Sequence, residues 1–350
     1  MSLTDKVEAS RDRIREWYEQ WDGNVYISFS GGKDSTVLMS LVREIYPDVT
    51  AVFSNTGLEY PEIRQFVSTF ENVDLVKPKL VFPEIIRRYG YPLASKEVAG
   101  AIKFARRHLE NGYRGGHTTI LQKRKELLGL RKETANGRKA YSKERWLYLV
   151  ETPFLISDYC CEIMKKSPMQ IYERATGRHP ILGTLAEESS LRKHSWLQYG
   201  CNSYDGKHVR STPMAFWTEQ DVLRYIKENN LPICSVYGDV AVNKKGELYT
   251  TGVYRTGCEF CAFGLQNEIG ETRFQKLKRT HPKQYDYCFG GGQWVPNPEY
   301  NPKYTDEPDE MGWVEWNPEK IWVPSKEGLG MGFVFDKVNE LYGKYYYRYQ

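Results

Sequence analysis

Between residues 25 and 89 short β-type runs alternate with helical ones, and this alternation restricts the fold more than any other feature of the chain. Val25-Tyr-Ile-Ser-Phe29 is a β-type run that leads directly into Ser30-Gly-Gly-Lys-Asp-Ser35. Thr36 to Ile45 is apolar at helical spacing and stops before Pro47. Val49 to Phe53 reads as a second strand and Pro61 to Phe70 as a helix with proline in its first turn. Val73 to Val76 and Phe82 to Tyr89 repeat the pair, and residues 4–21 form an amphipathic helix ahead of them all. Strands that alternate with helices run parallel, their crossover helices cover the two sheet faces, and ligands sit beyond the strand carboxyl ends. The expected fold is therefore α/β, a Rossmann-like parallel sheet with helices on both faces. Further along, Cys160 to Thr176 reads as helix, His179 to Thr184 as strand, and Thr218 caps a helix that reaches Glu228.

The loop between the first strand and its helix carries chemistry. Glycines permit a tight turn and let backbone N–H groups approach an anion. The helix N-terminus adds a partial positive charge, and Lys33 and the serine hydroxyls add donors. The spacing is not that of the Walker loop, which places four residues between its first glycine and Gly-Lys.

Composition sets bounds. A chain of 350 residues is long enough for two domains and buries a core without disulfides. The net charge of +4 conceals an uneven distribution, because residues 103–145 hold 13 Lys and Arg against 4 Glu. Arg106, Arg107, Lys123, Arg124, Lys125, Arg131, Lys132, Arg138 and Lys139 are the densest charges there, a surface that could contact a nucleic acid or simply face solvent. Seven cysteines, with Cys160-Cys161 adjacent and Cys258-x-x-Cys261 closely spaced, read as thiol or metal chemistry in a reducing compartment. Four thiolates suffice for Zn²⁺ or for a [4Fe–4S] cluster, although adjacent cysteines suit structural zinc poorly. The first ten residues carry charges where a secretory leader needs an apolar stretch, and no window approaches the ~18 apolar residues of a membrane span. A cytoplasmic location and no membrane contact are expected. After about residue 285 the chain turns to Gly, Pro, Trp and Tyr, the composition of a sugar- or base-stacking platform or, more often, of a segment that uses rings as packing anchors.

Ser30-Gly-Gly-Lys-Asp-Ser35 after a strand resembles the pyrophosphate loop of the N-type ATP pyrophosphatases, and the wider chain resembles the phosphoadenylylsulfate (PAPS) reductase family. Ser54-Asn-Thr-Gly-Leu-Glu-Tyr-Pro-Glu62, Gly183-Thr-Leu-Ala-Glu-Glu-Ser-Ser-Leu-Arg192 and Pro213-x-x-x-Trp217-Thr-Glu-x-Asp-Val222 are similar to three further motifs of that family. The resemblance spans residues 25 to 265 and implies the adenine nucleotide α-hydrolase-like variant of the fold. It divides the chain into a nucleotide-binding domain over 1–265, with a basic insertion at about 103–145, and a C-terminal extension over 266–350 wrapping it. It also implies a site for ATP or another adenine nucleotide. Ser28, Ser30, Gly31, Gly32, Lys33, Asp34 and Ser35 would hold the phosphates, with Lys33 and Asp34 in the catalytic roles. Asn55, Thr56 and Gly57 would lie beside the nucleotide, and Gly183, Glu188, Ser189 and Arg192 would close the far side. Asp34 would either contact Mg²⁺ or cap its helix.

The Cys160-Cys161 and Cys258-x-x-Cys261 pairs resemble the set that holds [4Fe–4S] in the adenylylsulfate (APS) reductase branch and in some sulfur-transfer pyrophosphatases, with segments 158–166 and 255–264 as the cluster region. Two departures stand beside this. The reductases' C-terminal catalytic cysteine has no counterpart after Cys288, and arginines that grip sulfate are replaced by Leu185, Ala186 and Met164. Lys165 and Lys166 are left as point-charge substitutes, with Arg106 and Arg107 as further candidates for substrate. The resemblance thus implies an ATP-dependent adenylating enzyme of sulfur transfer, whose acceptor could be tRNA or DNA and whose sulfur donor could be a cysteine desulfurase. The alternatives are a sulfonucleotide reductase using an unconventional thiol such as Cys288 on a mobile loop, and a non-catalytic nucleotide-binding iron–sulfur module.

Overall fold

The computed structural model describes residues 1–109, 116–131, 137, 142–204 and 209–350. The chain forms two compact units, one from Met1–Lys79 with Ile163–Glu259 and the other from Leu80–Glu162 with Phe260–Gln350. The division therefore falls inside the expected nucleotide-binding domain and not at residue 265. The last ninety residues build a unit together with 80–162, because their aromatic rings find acceptors and apolar neighbours there.

The first unit is built on β1 (Val25–Ser28), β2 (Ala51–Ser54), β3 (Val73–Val76), β4 (His179–Leu182), β5 (Asn202–Ser203) and β6 (Arg210–Ser211). Their order is β3-β2-β1-β4-β6-β5, parallel except where β5 meets β6. The expected α/β class and parallel sheet are thus present. Val25, Tyr26 and Ile27 are all buried, the continuous pattern of a strand covered on both faces. The helix Leu3–Gln20 is closed by a reciprocal Ser2–Asp5 capping box and buries Ile14 and Trp17. It packs against the helix Lys33–Ile45, which also meets the Thr218-capped helix Glu219–Glu228.

The segment expected as one helix from Cys160 to Thr176 is broken. A short turn at Tyr159–Cys161 passes into a π-helical turn at Glu162–Lys166, and the regular helix is Ser167–Thr176. Pro168 is the cause: it has no N–H to donate back to Met164, whose carbonyl instead accepts the Ser54 hydroxyl at 3.1 Å.

The second unit contains the helices Phe82–Tyr89, Lys96–Ala105, Gly116–Leu127, Arg273–Thr280, Pro282–Phe289 and Met331–Tyr342 and an antiparallel pair, β9 (Gln293–Pro296) and β10 (Lys320–Val323). (β7, Val240–Val242, and β8, Leu248–Thr250, are a hairpin of the first unit.) Trp316 donates its indole N–H to Thr152 O, and Tyr347 OH accepts from Ala94 N–H. The basic segment is turned inward here. Arg106 is 4% exposed and its guanidinium donates to the carbonyls of Leu149, Val150, Thr152 and Phe154. Arg124 is buried against Ala105 O, Arg107 O and Glu315. Glu126, 3% exposed, takes ion pairs from Lys123, Arg131 and Lys143. Lys132, Arg138 and Lys139 lie outside the described residues.

Burial raises the Glu126 carboxyl, but hydrogen bonds from Lys143 and Lys123 outweigh it and hold the group at about 2, below its ordinary 4.5. Its contribution to stability is complete above pH 4.5 and is lost as pH falls through about 2. Glu126→Gln is expected to destabilise the protein by about 3 kcal/mol at pH 7 and to flatten the acid limb of a stability–pH curve measured by urea unfolding.

Candidate functional site

The loop after β1 is shaped by Gly31. Its φ of +68° is left-handed, and a Cβ there would stand 2.9 Å from the methyls of Ile63 and Val67. Gly32 then begins the helix Lys33–Ile45 and supplies no side-chain cap to its first-turn N–H groups. The serines brace the turn from inside: Ser35 Oγ donates to Gly32 O at 2.9 Å and accepts Ser30 N–H at 3.2 Å. On the next strand end, Gly183 comes so close that a Cβ would lie 3.0 Å from Asp34 O. These contacts place the β4 loop against the helix start.

Lys33 is the centre of the arrangement. It is 3% exposed, and its ammonium lies 3.0 Å from Glu219 Oε1 and 3.1 Å from Tyr254 O, over the rings of Tyr237 and Tyr254. Its backbone N–H donates to Tyr237 OH at 3.3 Å, and that hydroxyl shares a second bond with Thr256 Oγ1 at 2.7 Å. Asp34 stands beside Lys33 within a ring of charges. Burial raises its carboxyl above the ordinary value, opposed by Lys33 and Arg255 and reinforced by Glu219. Glu188 pairs with Arg192 and, at 3.0 Å, with Arg255, while Ser189 caps the helix Ser190–Tyr199 through Arg192 N–H. Arg192, with its partner Glu188, therefore lies near Asp34, and Ser189 serves as a cap. Glu219, Tyr237, Tyr254 and Arg255 complete the site although none was singled out from sequence. Glu219 sits in a motif that was read as a helix start, and the two tyrosines belong to no pattern.

A cavity of ≈ 360 Å³ opens beside the loop, lined by Ser28, Ser30, Ser54, Glu59, Lys165 and Lys166, with apolar walls from β2 and β4. This is the size of a small-ligand site. Thr56 and Gly57 turn their N–H groups to the Glu59 carboxylate, each at 3.1 Å, and Asn55 accepts from Gly57 N–H. The Asn-Thr-Gly turn is thus closed by Glu59, which also lines the cavity.

Three expectations need correction. Arg106 is no substrate ligand, since its donors are consumed by carbonyls within the second unit. The described charges of the basic segment largely pair internally, which leaves the nucleic-acid surface without support. Cys288 is not on a mobile loop: it lies in the helix Pro282–Phe289, 0% exposed, with Met331 Sδ at 3.4 Å. Of the four candidate ligands, Cys258 belongs to the first unit, and Cys160, Cys161 and Cys261 to the second. The donor set suits iron–sulfur chemistry, but among the described residues no three or more His, Cys, Asp or Glu are grouped to hold a metal ion. Among the described residues, no helix is long and apolar enough to cross a membrane.

A family model described as phosphoadenosine phosphosulfate reductase domain matches residues 24–91 and 117–262. An adenosine 5′-phosphosulfate reductase of Lysinibacillus sphaericus is 24% identical over 281 residues, covering 79% of this chain and 91% of that protein. One from Staphylococcus epidermidis is 22% identical, covering 66% and 72%. An uncharacterized protein of Methanocaldococcus jannaschii is 25% identical over 78% of this chain, which spans only 42% of its length. A crystal structure of PAPS reductase from Candida auris, a phosphate complex, aligns with a TM-score of 0.34 at 14% identity over 66% of this chain and 87% of that one.

The left-handed turn gives a direct test of the loop. Gly31→Ala is expected to cost about 2 kcal/mol from the left-handed conformation alone, and more from the clash with Ile63 and Val67, lowering the thermal midpoint measured by calorimetry.

Proposed function

The chain belongs to the phosphoadenosine phosphosulfate reductase domain family, and we propose that it is an enzyme of sulfur metabolism that binds ATP on the Ser30–Ser35 loop and adenylates an acceptor with release of pyrophosphate. The observation that carries this reading is the buried Lys33 at an uncapped helix N-terminus, next to a ligand-sized cavity. Such a loop stabilises the β- and γ-phosphates, which are what must leave. An acceptor oxygen attacks the α-phosphorus, the bond from that phosphorus to the bridging oxygen breaks, and the electron pair departs with pyrophosphate. Lys33 and the first-turn N–H groups offset the negative charge that builds on the leaving group. Mg²⁺, when bound, would add to this neutralisation through the Asp34 carboxylate. Arg192 and Arg255, held by Glu188, keep further positive charge at the rim of the loop.

Lys33 must exchange partners for this to occur. Glu219 and Tyr254 O hold its ammonium, and a phosphate oxygen takes their place when nucleotide enters. The adenylated acceptor would then be substituted by a sulfur nucleophile, a step supported by the resemblance and not by any contact described above. A [4Fe–4S] cluster on Cys160, Cys161, Cys258 and Cys261 is likewise supported by the resemblance and by the chemistry of four thiols.

Reduction of a sulfonucleotide is the second reading, favoured by the likeness to APS reductases over most of their length. The burial of Cys288 weighs against the thiol first considered for it.

Pyrophosphate release from ATP separates the two. The wild-type protein is expected to release it, and Lys33→Ala to lower the rate by ~100-fold or more while the circular dichroism spectrum is unchanged. Sulfite release from APS or PAPS, with no pyrophosphate from ATP, would establish the second reading instead. Anaerobically purified protein is expected to show a broad absorption near ~400 nm from the cluster; a colourless, iron-free preparation would eliminate it.

A further inference from the structure

Two tyrosines and a threonine from one stretch of chain stand on the Ser30–Ser35 loop. Tyr237 OH accepts Lys33 N–H at 3.3 Å, and Tyr254 O accepts from the Lys33 ammonium at 3.1 Å. A Cβ on Gly32 would lie 3.3 Å from Tyr237 OH and 3.6 Å from Thr256 Oγ1, so both hydroxyls sit over that glycine. The two ends of the stretch are bonded to each other. Val253 N–H donates to Val236 O at 3.0 Å, Gly252 N–H to Tyr237 O at 2.7 Å and Thr251 N–H to Asp239 O at 3.0 Å, and the β7–β8 ladder continues from there. Glycine is required at this closure, since a Cβ on Gly252 would fall 2.2 Å from Val236 O. Tyr237, Tyr254 and Thr256 therefore belong to one hairpin, residues 236–256, and a supersecondary motif joined in this way opens as a unit.

Side chains outside the hairpin hold it down. Glu219 joins it to the loop: one carboxylate oxygen accepts from the Tyr254 hydroxyl, and the other lies 3.0 Å from the Lys33 ammonium. Glu188 takes Arg255 at 3.0 Å. Gln220 bonds twice to the Leu248 backbone, its amide donating to the carbonyl at 2.8 Å and its oxygen accepting the N–H at 2.9 Å. The Glu219 carboxylate and the Tyr254 carbonyl give the ammonium what a phosphate oxygen would give it. The Tyr237 hydroxyl likewise takes a helix-start N–H that an anion would take. An entering phosphate competes with all three.

We propose that the hairpin 236–256 is an autoinhibitory lid over the Ser30–Ser35 loop, latched by Glu219 through the Tyr254 hydroxyl. The inference rests on the reading that this loop holds a nucleotide's phosphates. With the lid down Lys33 is occupied, and only the fraction of molecules with the lid raised binds nucleotide. The apparent affinity is the intrinsic one reduced by that fraction. A latch on the closed state has the opposite signature from a residue that merely supports the site, because its removal tightens binding. Tyr254→Phe is the most selective change, since it deletes the hydroxyl and keeps the carbonyl and the ring at Lys33. Gln220→Ala releases the hairpin at Leu248, without altering any group on Lys33.

The experiment titrates ATP into full-length wild type, Tyr254→Phe and Gln220→Ala by calorimetry, and follows association and dissociation of a fluorescent ATP analogue by stopped flow. Tyr254→Phe is expected to bind ATP roughly 10-fold more tightly than wild type, and Gln220→Ala to shift in the same direction. Association is expected to quicken while dissociation becomes no faster, a pattern that loss of a supporting contact does not produce. Binding by the variants alone is the same result for a lid that is almost always closed. ATP affinity in both variants equal to or weaker than that of wild type overturns the inference and leaves the nucleotide reading in place. Tighter binding that arises only from slower dissociation does the same, because a lid over the loop acts on entry. No binding of ATP by wild type or either variant overturns the nucleotide reading, and the inference with it.

Discussion

A lysine ammonium removed from water must be given partners, and the first unit is organised around that requirement at Lys33. The residue follows Gly31 and Gly32, so the chain can turn sharply from β1 into its helix and carry the side chain under neighbouring backbone. Once there, the charge is met by a carboxylate, a carbonyl oxygen and two aromatic faces, drawn from segments about 185 to 220 residues further along the chain. An unpaired buried ammonium would cost several kcal/mol, which is why these segments converge on the loop. The same convergence brings Tyr237 OH onto the first-turn N–H of Lys33. Glu219 and Tyr254 O meet the ammonium there.

The rule that governs Lys33 also explains why the basic segment does not form an open positive surface. Arg106 and Arg124 enter the second unit because its carbonyls and Glu315 can absorb their donors. Glu126 draws three cations around itself for the same reason. Arginine presents five donors on a flat group, so a cluster of chain-turn carbonyls is as good a destination for it as a phosphate. Charge density along a chain says nothing about which of these it meets.

Proline and serine set the geometry of the cavity in a comparable way. Pro168 removes one helical hydrogen bond, the π-helical turn follows, and Ser54 takes the carbonyl that is released. That exchange joins the end of β2 to the start of the helix Ser167–Thr176. The helix then lines the cavity beside the loop through Met169, Gln170 and Glu173.

The sequence by itself determined the α/β alternation, the parallel sheet, the glycine turn and the identity of Lys33 as its central residue. Each follows from local physics: hydrophobic period, glycine's access to positive φ, and the donors a helix start exposes. Gly183, Glu188 and Arg192 were also legible, because they fall in an ordered motif at a strand end. What the sequence could not disclose is which distant groups would neutralise a buried charge. Glu219, Tyr237 and Tyr254 reach Lys33 through folding alone, and Arg106 is spent on carbonyls rather than on a ligand for the same reason. Residue types state what partners a group requires; only the tertiary structure, by bringing remote backbone and side chains within hydrogen-bond distance, decided which ones it has.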